Sequence, residues 1–386
     1  MEARKIQLKV GTLAVVLYAV HGAVCAQGVF ESFLPGFYPG LIPKAGDAFK
    51  VYGSVDLYLD RLDAGGTTVN RMLSGGTWTS KLGFYGREEL GGGTAVFFDL
   101  EAGLNADDGT LQQAGTLFNR QSTIAMTNPR YGTLQMGKQF GVGLQLYVDP
   151  FLGNAKISPW AYLSGAADLG KGSSTVESRV NKSIVYMSPT IAGLSTQWLY
   201  AVKTDRSQGG PATQNRGVNL TWVTTPGGHR LYSVASFNQT WCDPKSGDPS
   251  QVTCTDTTVR TDASGAALVY DMSKYVVSAS YQLIAPKRVG NYMARVSSLG
   301  GTARLGANLW KLSVVYRDTT QSRNHAFATT LGDEYFLSRL TALYFRYSLI
   351  RNGAKSAMTI DYASGSPLPT AGARVSDLAV GMYHNF

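Results

Sequence analysis

Residues 81–140 read KLGFYGREELGGGTAVFFDLEAGLNADDGTLQQAGTLFNRQSTIAMTNPRYGTLQMGKQF, four short runs separated by Gly-rich or Asn-Pro turns. In the first run Leu82 and Phe84 alternate with Lys81, Tyr85 and Arg87. Beyond Gly91-Gly92-Gly93, Val96, Phe98 and Leu100 oppose Asp99 and Glu101. A period of two with one apolar and one polar face marks a strand lying between an apolar and an aqueous phase. Directly afterwards the pattern stops: residues 141–176 carry Pro150 and Pro159, scattered glycines and no sustained period. A structureless segment of that length is uncommon in a compact fold, and where it occurs it is usually functional.

The alternation extends outward on both sides. Upstream, Phe49, Val51, Val55, Leu57 and Leu59 share one face of a strand over 49–62. Downstream, strands are predicted over 179–186, 194–200, 218–224, 231–239, 266–271, 275–283, 292–298, 305–317, 333–340, 343–351 and 375–386. With runs 81–90, 96–101, 117–126 and 131–140, the total is about 16, an even number of the kind closed bacterial barrels use. Short links (91–93, 128–132, 225–228, 272–274, 300–302) take turns with long polar ones (63–79, 203–215, 241–262, 318–330). A barrel with periplasmic turns and external loops has that asymmetry. Lys311 and Arg317 oppose Trp310, Leu312, Val314 and Tyr316, and Arg346 opposes Leu343, Phe345, Tyr347 and Leu349. A cation facing lipid at midplane costs about 2–4 kcal/mol, so these three are assigned to the interior.

Two runs break the pattern. Arg120 shares parity with Ile124 and Met126, and Lys138 with Leu134 and Met136. Either a bulge shifts the parity or the outer face meets protein instead of lipid; the second reading is preferred and implies an oligomer.

Composition agrees with an all-β chain: 44 Gly, 21 Tyr, 15 Phe and 6 Trp, with only 16% charged residues, is a turn-rich and aromatic vocabulary. Residues 1–26 have a basic start, an apolar centre and small residues at Cys25-Ala26, the form of a secretory signal peptide cleaved after Ala26. Val24 before Cys25 speaks against a lipoprotein signal. Removal of Arg4, Lys5, Lys9 and Glu2 lowers the formal net charge from +9 to +7 and leaves 360 residues. The excess is dispersed, which excludes a basic stripe for nucleic acid. No mature stretch approaches a transmembrane helix in length, and barrel strands would not register as one. Residues 27–48, with three prolines, read as an irregular lead-in to a domain spanning 49–386. Cys242 and Cys254 bracket a turn-rich segment of an exported chain and are read as a loop disulfide. Zinc would need two further ligands.

The chain resembles the general porins of Gram-negative outer membranes, most closely their beta-proteobacterial and neisserial branch. The resemblance is carried by YGSVD, KLGFYGREELGGGTAVFFDLEAGLN, LFNRQSTIAM with YGTLQMGKQF, SRVNKSIVYMSP and the terminal GMYHNF, in family order over most of the mature chain. It implies a homotrimer of 16-stranded antiparallel transmembrane barrels in outer-membrane lipid, each narrowed by an inward-folded third loop, here residues 141–177. It implies that Phe386 is the signal read by the outer-membrane insertion machinery. Carried over by position, the cationic wall of the constriction falls on Lys81, Arg120 and Arg179. Lys138 stands where the family usually has Arg, and Arg87 where small residues are common. Asp149 and Asp168 become the loop acids facing these cations, with Asp99, Glu101, Lys311, Arg317 and Arg346 elsewhere in the lumen. The long lead-in, the cysteine pair and the absence of a Pro-Glu-Phe-Gly run in the loop depart from the family pattern.

The expected function is passive diffusion of small hydrophilic solutes and ions through a water-filled pore, with a preference for anions and no cofactor or metal. Pairing of the wall cations with Asp99 and Glu101 would blunt that preference. A substrate-specific channel is the alternative, if Tyr147, Phe151, Trp160 and Tyr162 form a sugar or aromatic-acid track. An enzyme is not expected, since His229, His325 and His384 stand in no triad or metal spacing.

Overall fold

Every strand pairing is antiparallel, and the last strand returns to the first. The computed structural model describes residues 46–151, 158–176, 178–201, 215–241, 259–360 and 366–386. The signal peptide, nearly all of the lead-in and the Cys242/Cys254 pair lie outside them.

The strands are β1 (Ala48–Ala64), β2 (Thr67–Ser74), β3 (Lys81–Gly91), β4 (Thr94–Asn105), β5 (Thr110–Leu111), β6 (Gln121–Asn128), β7 (Gly132–Phe140), β8 (Arg179–Met187) and β9 (Leu194–Ala201). They continue as β10 (Asn215–Thr224), β11 (Arg230–Trp241), β12 (Arg260–Asp271), β13 (Tyr275–Pro286), β14 (Ala294–Leu305), β15 (Asn308–Thr319), β16 (His325–Phe336), β17 (Thr341–Asn352) and β18 (Arg374–Asn385). β2 and β3 pair with successive halves of β1 and form one stave, and β5 is a two-residue hairpin on β4, so the barrel has sixteen staves. Closure runs from Ser54 opposite Asn385 to Ala64 opposite Val375. Gly53 N–H donates to Phe386 O (3.0 Å) and Phe386 N–H to Gly53 O (3.1 Å). The ring of Phe386 lies against the position a Gly53 side chain would need.

The faces follow the alternation. On β15, Trp310, Leu312 and Tyr316 are exposed, while Lys311, Ser313, Val315 and Arg317 are buried on the inner side. Outward rows of Tyr281, Tyr316 and Phe327 near one rim and Trp222, Tyr275 and Tyr335 near the other enclose Val277, Leu299, Leu312 and Leu331. An apolar band between two aromatic girdles is the surface a transmembrane barrel shows to lipid.

Several boundaries differ from the sequence reading. β2 occupies part of the link read as 63–79, because Gly65 and Gly66, both at positive φ, close a tight hairpin there. Gly300 and Gly301 lie inside β14, whose turn comes at Gly306. β16 starts at His325 and ends at Phe336, so the link after Thr319 is short and the run read as 333–340 is displaced. β6 begins at Gln121, which places Arg120 in the preceding turn, where strand parity has no meaning.

The interior is not empty. A short 3-10 helix (Val142–Leu146) and an α-helix (Pro159–Leu163) within segment 141–176 carry Leu144, Leu146, Trp160, Leu163 and Leu169 into one apolar cluster with inner-face Val234, Ala263, Val296, Val315 and Ala326. Met358 and Ile360, from the β17–β18 connection, join the same cluster. Each fully buried aliphatic of this size is worth roughly 1.5–3 kcal/mol, which fixes residues 141–151 and 158–176 against one side of the barrel.

Candidate functional site

The inner wall of β10 to β17 is shaped to receive segment 141–176. Four of its inward positions are glycine. A Cβ would lie 2.5 Å from Val142 at Gly217, 3.1 Å from Leu146 at Gly265, 2.5 Å from Pro150 at Gly300 and 3.0 Å from Phe151 at Gly332. Side chains there would displace the segment. Polar contacts add direction: Asn219 Nδ2 donates to Val142 O (3.1 Å), Ser174 N–H to Thr261 Oγ1 (3.0 Å), and Ser313 Oγ to Asp149 Oδ2 (3.0 Å). Arg317, fully buried, forms two bonds to Asp168, Nη1 to Oδ2 at 2.9 Å and Nη2 to Oδ1 at 2.6 Å.

Asp149 and Asp168 therefore lie against the β15 wall, not facing Lys81, Arg120 and Arg179, which corrects the expectation for both. Each takes the nearest partner on the wall the segment lies on. Burial raises the carboxyl of Asp149 above the ordinary range, against the opposing effect of its bonds to Phe151 N–H and Ser313. Tyr147, Phe151, Trp160 and Tyr162 are buried too, Trp160 edge-on to Tyr147 at 5.7 Å. They pack the described parts of the segment onto the wall, so these four do not form a track facing water.

Among the described residues the two helices of segment 141–176 lie on β9 to β16 and not on β3 to β7, whose inner-face charges form a cluster of their own. Tyr52 Oη donates to Asp99 Oδ1 (2.6 Å) and Glu101 Oε2 (3.2 Å), and Gln121 Nε2 donates to Asp99 Oδ2 (2.9 Å). Arg120 turns inward from its position before β6 and bonds Glu101 Oε1 through Nε at 2.5 Å. Lys81 Nζ stands 3.9 Å from Glu101. Arg179 lies over the ring of Phe140, 3.5 Å from its centroid, donates to Ser178 O (3.1 Å), and its charge acts on both Lys81 and Asp99. The structure thus brings Lys81, Arg120, Arg179, Asp99 and Glu101 together.

Two sequence candidates fall elsewhere. Lys138 pairs with Ser122 and shares the outward face of Leu134 and Met136, while Gln139 takes the inward place. The extra residue is in the neighbouring β8, at Lys182 with φ 48°, beside Gly137 of β7 at φ 127°, and the alternation of β7 ends before Phe140, which packs against the interior cluster. Arg87 sits toward the Gly91–Gly93 turn, bonded to Glu89 at 2.8 Å, and is remote from the cluster. With Arg120 outside β6 and a register irregularity beside Lys138, the uneven parity has a local cause and carries no argument for an oligomer.

Lys311, Arg317 and Arg346 face inward but are covered. Lys311 Nζ bonds Glu334 Oε1 (2.6 Å), Arg346 Nη2 bonds the same oxygen (3.3 Å), and Tyr383 Oη donates to Oε2 (3.2 Å). Sequence reasoning missed Glu334, Asp56, Tyr344 and Tyr383, although Glu334 sits among the residues of a run assigned as a strand. Their signal is parity: Asp56, Tyr344 and Tyr383 lie inside the runs read as 49–62, 343–351 and 375–386, and Glu334 joins them on β16.

A closed sixteen-stave barrel with an apolar outer belt and a polar interior is an outer-membrane pore. A family model described as Gram-negative porin matches residues 12–355, and the chain belongs to that family. Outer membrane porin protein 32 of Delftia acidovorans is 26% identical over 400 residues, covering 98% of this chain and 100% of that protein. An outer membrane porin protein of Bordetella pertussis is 30% identical over 126 residues, 32% of this chain and 30% of that protein. Among solved structures, an anion-selective porin from Comamonas acidovorans matches with a TM-score of 0.73 at 24% identity, over 88% of this chain and 100% of that one. OmpT of Vibrio cholerae in its trimer form matches with a TM-score of 0.63 at 14% identity, over 89% and 100%. The protein is an outer-membrane porin through which small hydrophilic solutes diffuse passively, and its family and fold are those of a channel.

Proposed function

We propose that solutes pass between segment 141–176 and the bare β3–β8 wall, and that the passage prefers anions. The observation that carries this is the imbalance on the bare wall: three cations, Lys81, Arg120 and Arg179, stand with two carboxylates, Asp99 and Glu101. The loop carboxylate of Asp168 is neutralised by Arg317 on its own wall. The net field across the gap is positive but small, because Glu101 bonds Arg120 directly, and a low-dielectric wall focuses what remains. The anion selectivity stated for the Comamonas acidovorans porin agrees with this sign. Reversal potential in a salt gradient across a planar bilayer tests it: an anion-to-cation permeability ratio above one is expected, and a ratio below one removes the proposal.

The working unit in this reading is a homotrimer, as stated for the OmpT structure. The exposed apolar faces of β6 and β7, with Ile124, Met126, Leu134 and Met136, are the candidate contact. Phe386 is read as the residue offered to the insertion machinery, and the signal peptide, the 27–48 lead-in and the disulfide retain their sequence-derived assignments. Cross-linking in outer-membrane extracts checks the oligomer; a monomer as the largest species counts against it.

A further inference from the structure

We propose that residues 75–80 form a second narrowing element of the pore, distinct from segment 141–176, and that Arg346 ties the two together. The β1–β2–β3 register exposes the insertion. Leu57 pairs with Ser74, but Ser54, three residues back, pairs with Lys81, seven residues on, so four residues are surplus to the ladder. A hairpin needs none of them to close.

The surplus turns inward. Gly75, at φ 86°, donates its N–H to Asp56 O (2.9 Å), and Thr77 and Trp78 donate theirs to Asp56 Oδ2 (2.6 and 2.7 Å). Asp56 Oδ1 accepts from Tyr344 Oη (2.6 Å), and Gly76 lies so close under that hydroxyl that no side chain fits. The insertion therefore crosses the inner face of β1 and reaches β17. Its backbone donors end on a buried carboxylate, a costly arrangement for a surface turn and a stable one for a fixed internal feature.

Trp78 stays partly exposed, edge-on to Tyr383 with 6.2 Å between centroids and 5.9 Å from Lys81 Nζ. Its indole thus borders the uncovered side of the interior. Arg346 spans the two inward elements: Nη1 donates to Gly76 O (2.8 Å), Nη2 to Thr77 Oγ1 (2.6 Å), and its guanidinium carbon lies 5.0 Å from the Phe151 centroid. A planar fork can serve two partners and a ring face at once, which a lysine ammonium cannot.

The inference rests on the channel activity and not on its ion preference, so the test reads bore and selectivity separately. Single-channel conductance of the full-length protein in planar bilayers is measured with sugar-dependent swelling of proteoliposomes. Trp78→Ala keeps the backbone bonds to Asp56 and removes the indole with its ring contacts to Tyr383 and Lys81, but no charge. It should raise conductance roughly 1.5-fold and admit larger sugars, with the reversal potential unchanged. Arg346→Ala should raise conductance further and add open-channel noise, and Arg346→Lys should resemble it. Wild-type conductance and sugar cut-off in Trp78→Ala would overturn the second narrowing, and full restoration by Arg346→Lys would overturn the tie. If Arg346→Ala yields no heat-modifiable barrel, Trp78→Ala and Arg346→Lys decide between these outcomes.

Discussion

The wall from β3 to β8 and the wall from β10 to β17 are built from the same kind of strand and do opposite things. The first keeps large polar residues inside, among them Tyr52 from the neighbouring β1, Lys81, Asp99, Glu101 and Gln121, and they bond one another. The second carries Ala263, Ala267, Val296, Ala326 and Ala328 at inward positions, with glycine at four places where described residues of segment 141–176 lie against it. A single barrel therefore has a half that behaves as a channel surface and a half that behaves as a protein core. The passage proposed above then lies off-centre, on the polar side.

That contrast can be broken most forcefully at Arg317. Arg317→Ala, which leaves the partly exposed Asp168 with its bond from Asn324 Nδ2 (2.7 Å) but without its counter-charge, should lower the temperature of the heat-modified gel shift. It should also raise conductance as the segment loosens. A transition at the wild-type temperature would show that Asp168 is solvated without its partner. Next comes Gly300→Val, which would thrust methyl groups at Pro150. Overpacking of this kind costs typically 1–3 kcal/mol, and a shifted conductance level is expected. The adjacent Gly301→Ala faces outward, where its Cβ would lie 3.3 Å from Val276 O, and should leave conductance as it is.

The bare wall is tested by Glu101→Gln, which removes the charge that offsets Arg120 and Lys81. Its anion-to-cation permeability ratio should rise by roughly 2-fold or more; Asp168→Asn, on the covered side, should change it less. The smallest effect is expected at Asp149. Burial raises its carboxyl in the folded state, so the folded protein holds that proton more tightly than the unfolded chain does. This contribution to stability is present at low pH and is lost as pH rises through the raised value. Asp149→Asn should flatten that slope, read by thermal melts across the pH range, and a slope identical to wild type would assign it to other groups.

The same contrast explains what could be read in the sequence. Where water meets the inner face, apolar and polar residues alternate cleanly, and β1, β3 and β4 were legible residue by residue. Where the inner face is covered, its residues turn small and apolar, so the two faces of β16 look alike and its ends slipped toward Asp333 and Leu340. β2 was hidden for the converse reason, since Thr68 and Asn70 make its outer face polar as well. Alternation by itself puts Lys81 and Arg179 on the polar face, whereas Arg120, for which parity is silent, joins them only by family position. No sequence pattern could show that Asp149 and Asp168 would find partners on the wall behind them, nor that four residues before Lys81 are surplus.

The pairing of Gly53 with Phe386 has a consequence for how the molecule comes to exist. The contact joins the two ends of the described chain, and the whole β1–β18 seam has near-maximal sequence separation. Contacts of this range form late and slowly, because the entropy of closing the intervening chain must be met first. Until the last strand arrives, β1 has an open edge that any other strand could occupy. Assembly of this barrel is therefore a race between its own C-terminus and its neighbours for that edge.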